Sequence, residues 1–172
     1  MANNFPEFCN FTAAAAVAGK DVLLCVFNAD GSKLLAINGQ KTLTINRSAD
    51  EIEVDTKDTK GGWKSKISGM KEWSIDNEGL YVNGSDSHKA LGDAFNNTDP
   101  VCLVVHNYKT QKNLLGGIAY ITEYTVEAPF DDAMTYSAKF SGNGALTDLT
   151  EETPVIPEGY ETEQNAGGQT QN

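Results

Sequence analysis

Thr42 to Val82, TLTINRSADEIEVDTKDTKGGWKSKISGMKEWSIDNEGLYV, decides how this chain is read. At its start Leu43 and Ile45 alternate with Thr42, Thr44 and Asn46, the period of a strand with one apolar face. Glu51 to Asp55 repeats the pattern, with Ile52 and Val54 expected inward and Glu51, Glu53 and Asp55 sharing the acidic outer face. The alternation returns at Trp73 and Ile75 and, after Glu78-Gly79, at Tyr81. Between these strands Thr56 to Lys71 is charged or small and is punctuated by Gly61-Gly62 and Gly69. So long a structureless connection inside a compact domain is either functional or a wrong element assignment. We expect a long inter-strand loop here. Trp63 follows the glycine pair on that loop, and an exposed indole is costly unless it meets a partner, so it is a candidate interface anchor. Trp73 alternates with Ile75 and is expected in the core.

Upstream, Asp21 to Asn28 (DVLLCVFN) reads as a buried strand. Ala29-Asp30-Gly31-Ser32 turns it into Ser32 to Ile37, and Asn38-Gly39 is a second turn of the same chemistry. Farther upstream lie Phe5, Phe8 and Phe11, expected to dock on the domain or on another copy, and an alanine run expected to form a short helix ended by Gly19. Downstream, Ser85 or Asp86 can cap a helix from about Asp86 to Asn96, with Ala90, Leu91, Ala94 and Phe95 as its apolar stripe. Val101 to Tyr108 and Leu114 to Glu127 follow as strands, with a bulge or close backbone approach expected at Gly116-Gly117. Thr135 to Ser141 alternates again, with Tyr136, Ala138 and Phe140 on one side. From Thr150 the composition turns to Glu, Pro, Thr, Gly, Gln and Asn, which fits a flexible tail, disordered in isolation or an arm that orders only on contact. The expected fold is mainly β: an antiparallel sandwich or rolled barrel of about eight strands with one flanking helix. The expected division is an N-terminal arm (1–19), a β domain (20–149) and an acidic C-terminal tail (150–172).

The formal charge of −11 argues against tight phosphate binding and against a polybasic membrane anchor. Six of those charges are Asp148, Glu151, Glu152, Glu158, Glu161 and Glu163, which leaves −5 for the chain through Thr147. Cys25 and Cys102 lie in apolar runs and are expected as buried thiols, and with Cys9 they make an odd count that does not suit a disulfide framework. No run reaches the roughly 18 apolar residues of a membrane span. No secretion signal is evident, so synthesis in the cytoplasm is expected.

Chemistry-bearing motifs are missing. His88 is expected to face solvent and His106 to end a strand, and neither has a metal-spaced partner. Asp131-Asp132 lacks EF-hand spacing, and Glu51, Glu53 and Asp55 read as a solvated strand face. No catalytic residue, cofactor or metal is expected. Trp63 and Trp73 together leave open a sugar-binding platform.

An ordered set of segments resembles the major tail tube proteins of long-tailed bacteriophages with non-contractile tails. These segments are Gly19 to Leu24 (GKDVLL), Arg47 to Asp58 (RSADEIEVDTKD), Gly61 to Lys64 (GGWK), Gly69 to Ile75 (GMKEWSI) and Ala128 to Thr147 (APFDDAMTYSAKFSGNGALT). They follow one another in the family's order over Gly19 to Thr147. The resemblance implies a non-enzymatic β-sandwich subunit that forms hexameric rings. Rings stack into a hollow tube around a tape-measure protein, between tail-tip and tail-terminator proteins, and the lumen later conducts phage DNA without specific binding. It implies a virion tail protein assembled in the host bacterial cytoplasm, with no membrane partner. A long loop reaching the adjacent ring would here carry Asp58, Lys60, Gly61, Gly62, Trp63, Lys64 and Lys66, opposite the acidic face of Glu51, Glu53 and Asp55. A carbohydrate-binding module on a virion, or the tube of a contractile tail, are the alternatives.

Overall fold

Alternating apolar residues between Asp-Gly and Asn-Gly turns produce antiparallel strands, because a strand can bury one face only if its neighbours return beside it. The computed structural model describes residues 16–57 and 60–160. Seven strands form one sheet: β1 (Val22–Phe27), β2 (Leu34–Ala36), β3 (Gln40–Glu53), β4 (Lys66–Leu80), β5 (Val101–Asn107), β6 (Lys112–Glu127) and β7 (Thr135–Asp148). Their order is β2-β1-β5-β6-β7-β4-β3, and every pairing is antiparallel. One helix, α1 (Asp86–Asn97), connects β4 to β5. The expected eight strands become seven because the alternating runs at Thr42 and Glu51 are one strand, β3.

The sheet curls until β3 meets β1. The Gln40 side chain closes this seam, accepting from the Leu24 N–H at 2.8 Å and donating to the carbonyls of Leu24 at 3.1 Å and Ile37 at 2.9 Å. An amide side chain thus stands in for a ladder rung where the edges come together.

The curled sheet and α1 enclose Leu24, Val26, Ile75, Leu91, Leu103, Val105, Tyr136 and Phe140. Each large side chain removed from water contributes about 1.5–3 kcal/mol. Trp73 completes this core, its Nε1 donating to the Gly144 carbonyl at 2.9 Å. The indole needs bare backbone around it: a Cβ on Gly117 would stand 2.7 Å from Trp73 Cζ2, and one on Gly142 only 2.1 Å from Cε2. The Gly116-Gly117 pair also marks a register shift between β6 and β7, the expected bulge and close approach.

Helix α1 is held by a polar network. His88 is buried rather than solvent-facing: its Nε2 bonds the Asn38 carbonyl at 2.9 Å and its Nδ1 meets the Tyr124 hydroxyl at 3.0 Å. Its ring packs against Tyr81 and, edge-on, Tyr136. The Tyr136 hydroxyl donates to Asn77 Oδ1 at 2.6 Å. Burial lowers the His88 pKa and pushes the Tyr124 phenol up to about 12. Periodicity alone placed His88 outside because it weighs only apolar residues on the buried stripe. Ser85 takes the N-cap position, but its hydroxyl bonds Asn38 and Ser87 instead of a helix N–H.

Three further expectations change. Cys25 is buried, its thiol pushed up to about 12 by desolvation, whereas Cys102 is exposed, because β5 turns that position to the uncovered side of the sheet opposite Ile118. Gly19 opens a 3₁₀ turn, Gly19–Asp21, and Ala18 is extended, so no helix precedes it among the described residues. Phe5, Phe8, Phe11, Cys9 and most of the alanine run lie outside the described residues, as does the chain from Glu161 on. Residues 150–160 lie against the body: Pro157 is fully buried, the Glu158 N–H donates to the Leu34 carbonyl at 2.9 Å, and Gln111 Nε2 donates to the Tyr160 carbonyl at 3.1 Å. This segment covers the β2 edge, while among the described residues β3 pairs with β4 alone.

Candidate assembly interface

Much of the supposed loop is strand. β4 begins at Lys66, so the irregular connection shrinks to residues 54–65 and the rest extends the β3–β4 hairpin beyond the body. Pairing runs to Glu53↔Lys66, and Val54 N–H donates to the Ser65 carbonyl at 2.9 Å past it. The register slips between Ala49↔Lys71 and Glu51↔Ser68, so Gly69 and Met70 together oppose Asp50. A Cβ on Gly69 would stand 3.0 Å from Asp50 Cβ, so glycine suits the bulge. Such a bulge bends and twists the hairpin it interrupts, re-aiming its tip.

Beyond the bulge the tip has two unlike faces. Ile52 and Ile67 stand opposite one another, 49% and 52% exposed, with Val54 following. They are not inward as expected, because no part of the body lies over them. Glu51, Glu53 and Lys66 alternate onto the other face. There Lys64 Nζ stands 3.1 Å from Glu53, and Lys66 pairs with Glu51. The Asp55 carboxylate accepts the Ser65 N–H at 2.9 Å, so it pins the return of the chain instead of extending the acidic face. The lysines and carboxylates expected to meet between rings therefore already meet within one hairpin, all of them solvent-accessible.

At the apex Gly61 and Gly62 have φ of 86° and 69°, left-handed conformations that suit glycine. The turn packs Gly61 against the Trp63 ring, where an added Cβ would stand 3.3 Å from Cδ1. Trp63 is nonetheless 81% exposed and Met70 84%. Asp58 lies outside the described residues, and for Lys60 only the backbone, in the turn Lys60–Gly62, is described. Trp63 and Trp73 form no common platform: Trp73 is sealed in the core and only Trp63 faces out, which removes the two-tryptophan basis for sugar binding.

A second exposed aromatic escaped the sequence reading. Phe130, in the connection between β6 and β7, is fully exposed. Its signal was a phenylalanine set between Pro129 and two aspartates, in a segment too short to bury it. Among the described residues no three His, Cys, Asp or Glu side chains gather as a metal site, and no helix is long and apolar enough to cross a membrane.

Residues 16–148 match the family described as phage tail tube protein. The chain belongs to the phage tail tube protein family. It is a structural protein of the virion tail, and its curled antiparallel sheet with one helix is that family's fold. The tail of an empty gene transfer agent particle, a structure with C6 symmetry, is similar at 20% identity with a TM-score of 0.69, over 77% of this chain and 98% of that one. The SPP1 tail tube is similar at 20% identity with a TM-score of 0.62, over 91% of this chain and 95% of that one. A sheath–tube complex of an extracellular contractile injection system shares the fold at 13% identity and a TM-score of 0.52, over 80% of this chain and 95% of that one. No curated protein sequence matches the chain.

Proposed function

We propose that this tail tube protein polymerises as hexameric rings stacked into the tube of a non-contractile tail, with no enzymatic activity, cofactor or metal. One observation carries the reading: the β3–β4 hairpin leaves the body and presents Trp63, Met70, Ile52 and Ile67 to solvent. A lone subunit gains nothing from exposing that apolar surface, whereas an adjacent copy would bury it. The sixfold symmetry of the similar gene transfer agent tail supports the ring size. The outer edge of β3, which beyond Gln40 has no ladder partner among the described residues, supports lateral closure, since such an edge is a template for another copy's strand. In this reading the ring-stacking surface comprises Asp58, Lys60, Gly61, Gly62, Trp63, Lys64 and Lys66, braced from behind by Glu51, Glu53 and Asp55. The arm (1–19) and the acidic tail (150–172) flank the β domain as assembly segments. Subunits assemble in the host cytoplasm around a tape-measure protein, between tail-tip and terminator proteins. The net negative charge favours a lumen through which DNA slides without sticking.

Trp63→Ala tests this. The variant subunit should keep its thermal midpoint and lose tube growth in negative-stain microscopy. Tubes of normal length from the variant would sink the assignment of the tip.

A further inference from the structure

The tip needs a surface to land on, and the opposite end of the same sheet offers one. β4 runs from Lys66 at the hairpin tip to Leu80, which pairs with Thr135 where β7 begins. Glu127, the end of β6, pairs with the same Thr135. The β6–β7 connection, residues 128–134, therefore caps the end of the sheet farthest from Trp63. It projects the fully exposed Phe130, with Val126, Met134 and Val82, each 39–41% exposed, around its base. Met134 is tied there by its carbonyl, which accepts the Tyr81 N–H at 2.9 Å.

Two features make these ends complementary. Both are apolar with one protruding aromatic ring, Trp63 at one end and Phe130 at the other. At the apex their charges are opposite in sign. Residues 56–66 hold Lys57, Lys60, Lys64 and Lys66 against Asp58, a balance of +3 that Glu51, Glu53 and Asp55 at the base of the tip offset. Residues 127–132 hold Glu127, Asp131 and Asp132 with no cation, a balance of −3, and no Lys or Arg lies between Lys112 and Lys139. Lys64 and Lys66 already face Glu53 and Glu51, but an ammonium carries three donors and both lysines are about half exposed or more. The two ends cannot meet within one chain, since 15 residues of β4 alone span about 50 Å. A patch at one end that fits a patch at the other makes a head-to-tail contact, which propagates into a filament instead of closing as a symmetric pair.

We propose that the β6–β7 connection, centred on Phe130, Asp131 and Asp132, is the socket that receives the β3–β4 hairpin tip of a second copy in the adjacent ring. This inference deepens the tube reading and rests on it. It assigns the two ends of the sheet to opposite sides of each ring junction.

The test uses the full chain with Cys9→Ser and Cys102→Ser, and adds Ser65→Cys and Ala133→Cys, exposed positions beside but not part of the aromatic and charged contacts. After treatment of assembled material with a short bis-maleimide, a denaturing gel should show a ladder of covalent multimers from tubes and monomer alone from the same pair of cysteines in the Trp63→Ala background, where rings cannot stack. A ladder from unstacked rings would make the contact lateral and overturn the proposal, as would tubes that yield no ladder. Asp131→Lys with Asp132→Lys should raise the concentration needed for tube growth by about tenfold or more, and adding Lys57→Glu with Lys60→Glu in the same chain should recover most of that loss. Absence of recovery, with both variants folded, overturns the charge pairing. Microscopy of the unaltered chain separates the two levels: if it forms neither rings nor tubes under any assembly condition, the tube reading falls and this inference falls with it. Tubes without cross-links remove only the socket.

Discussion

Trp73 and Trp63 stand ten residues apart on one hairpin and do opposite things. Trp73 is 6% exposed, seated on bare backbone at Gly117 and Gly142 and bonded through Nε1 to Gly144. Trp63 is 81% exposed and touches little beyond its own glycine turn. Between them lies the bulge at Gly69-Met70, where the hairpin leaves the body. The same residue type therefore serves the stability of the subunit on one side of the bulge and, in our reading, its assembly on the other. Subunit stability and assembly should separate under mutation along this one element.

The largest expected effect is on the body side. Trp73→Ala removes the ring at the end of the core together with its bond to the Gly144 carbonyl, so it should cost about 3–5 kcal/mol. Against a total stability of about 5–15 kcal/mol, that leaves a subunit that melts early or is recovered unfolded. Thermal denaturation followed by near-ultraviolet circular dichroism reads it directly. If Trp73→Ala melted no earlier than Trp63→Ala, the contrast between the two tryptophans would collapse. Gly142→Ala attacks the same ring from below. Its Cβ would intrude to 2.1 Å from the indole, and the ring must move, at a cost of about 1–3 kcal/mol. A red-shifted, more quenchable tryptophan fluorescence should accompany that loss, because the displaced indole reaches water.

Proton concentration should act on the body through His88. Burial holds the His88 pKa below its ordinary value of about 6.5. The unfolded chain therefore binds a proton at pH values where the folded one does not, and stability falls as pH drops. The contribution of the neutral ring is fully present above the unfolded-state pKa and is lost as pH falls through it towards the lower native value. Thermal midpoints should decline between about pH 7.5 and 5.5, and His88→Gln should flatten that slope. A slope that survives unchanged in the variant would assign the titration elsewhere.

The legible parts of the fold were those where water and core lie on opposite sides of a strand. Leu43 and Ile45 against Thr42 and Thr44, or Tyr136, Ala138 and Phe140 along β7, show a clean period of two because each faces one environment. The hairpin beyond the bulge has water on both faces, so the alternation at Glu51 to Asp55 marks no buried side there, and Lys66 to Lys71, charged or small for the most part, read as loop although they are paired strand. His88 was misplaced for the converse reason: it is polar yet fully partnered, which only the fold reveals. Residues 150–160 looked like free tail because docking them takes one buried proline and a few backbone bonds, too little to mark a composition. Of the candidate interface, Gly61-Gly62-Trp63 was visible as a costly exposed ring. Phe130 carried a weaker signal, a lone ring between Pro129 and two aspartates, which no neighbouring apolar residue reinforces.

The smallest expected effect concerns the ion pairs of the tip. Glu53 and Lys64 are 3.1 Å apart, but their side chains are 51% and 67% exposed, and a pair so open to water and salt is worth about 0.5 kcal/mol or less. Glu53→Gln should therefore shift the subunit's thermal midpoint by no more than about 1–2 °C. Its effect on assembly has a definite sign. Freed from Glu53, Lys64 presents its full charge to a neighbour, so if the landing surface is acidic the variant should form tubes at an equal or lower concentration than the parent, and more so at low salt. If instead Glu53 itself meets a cation across the ring junction, the same substitution would raise that concentration. One conservative change, nearly silent in the monomer, thus reports which charge the neighbouring subunit offers to the tip.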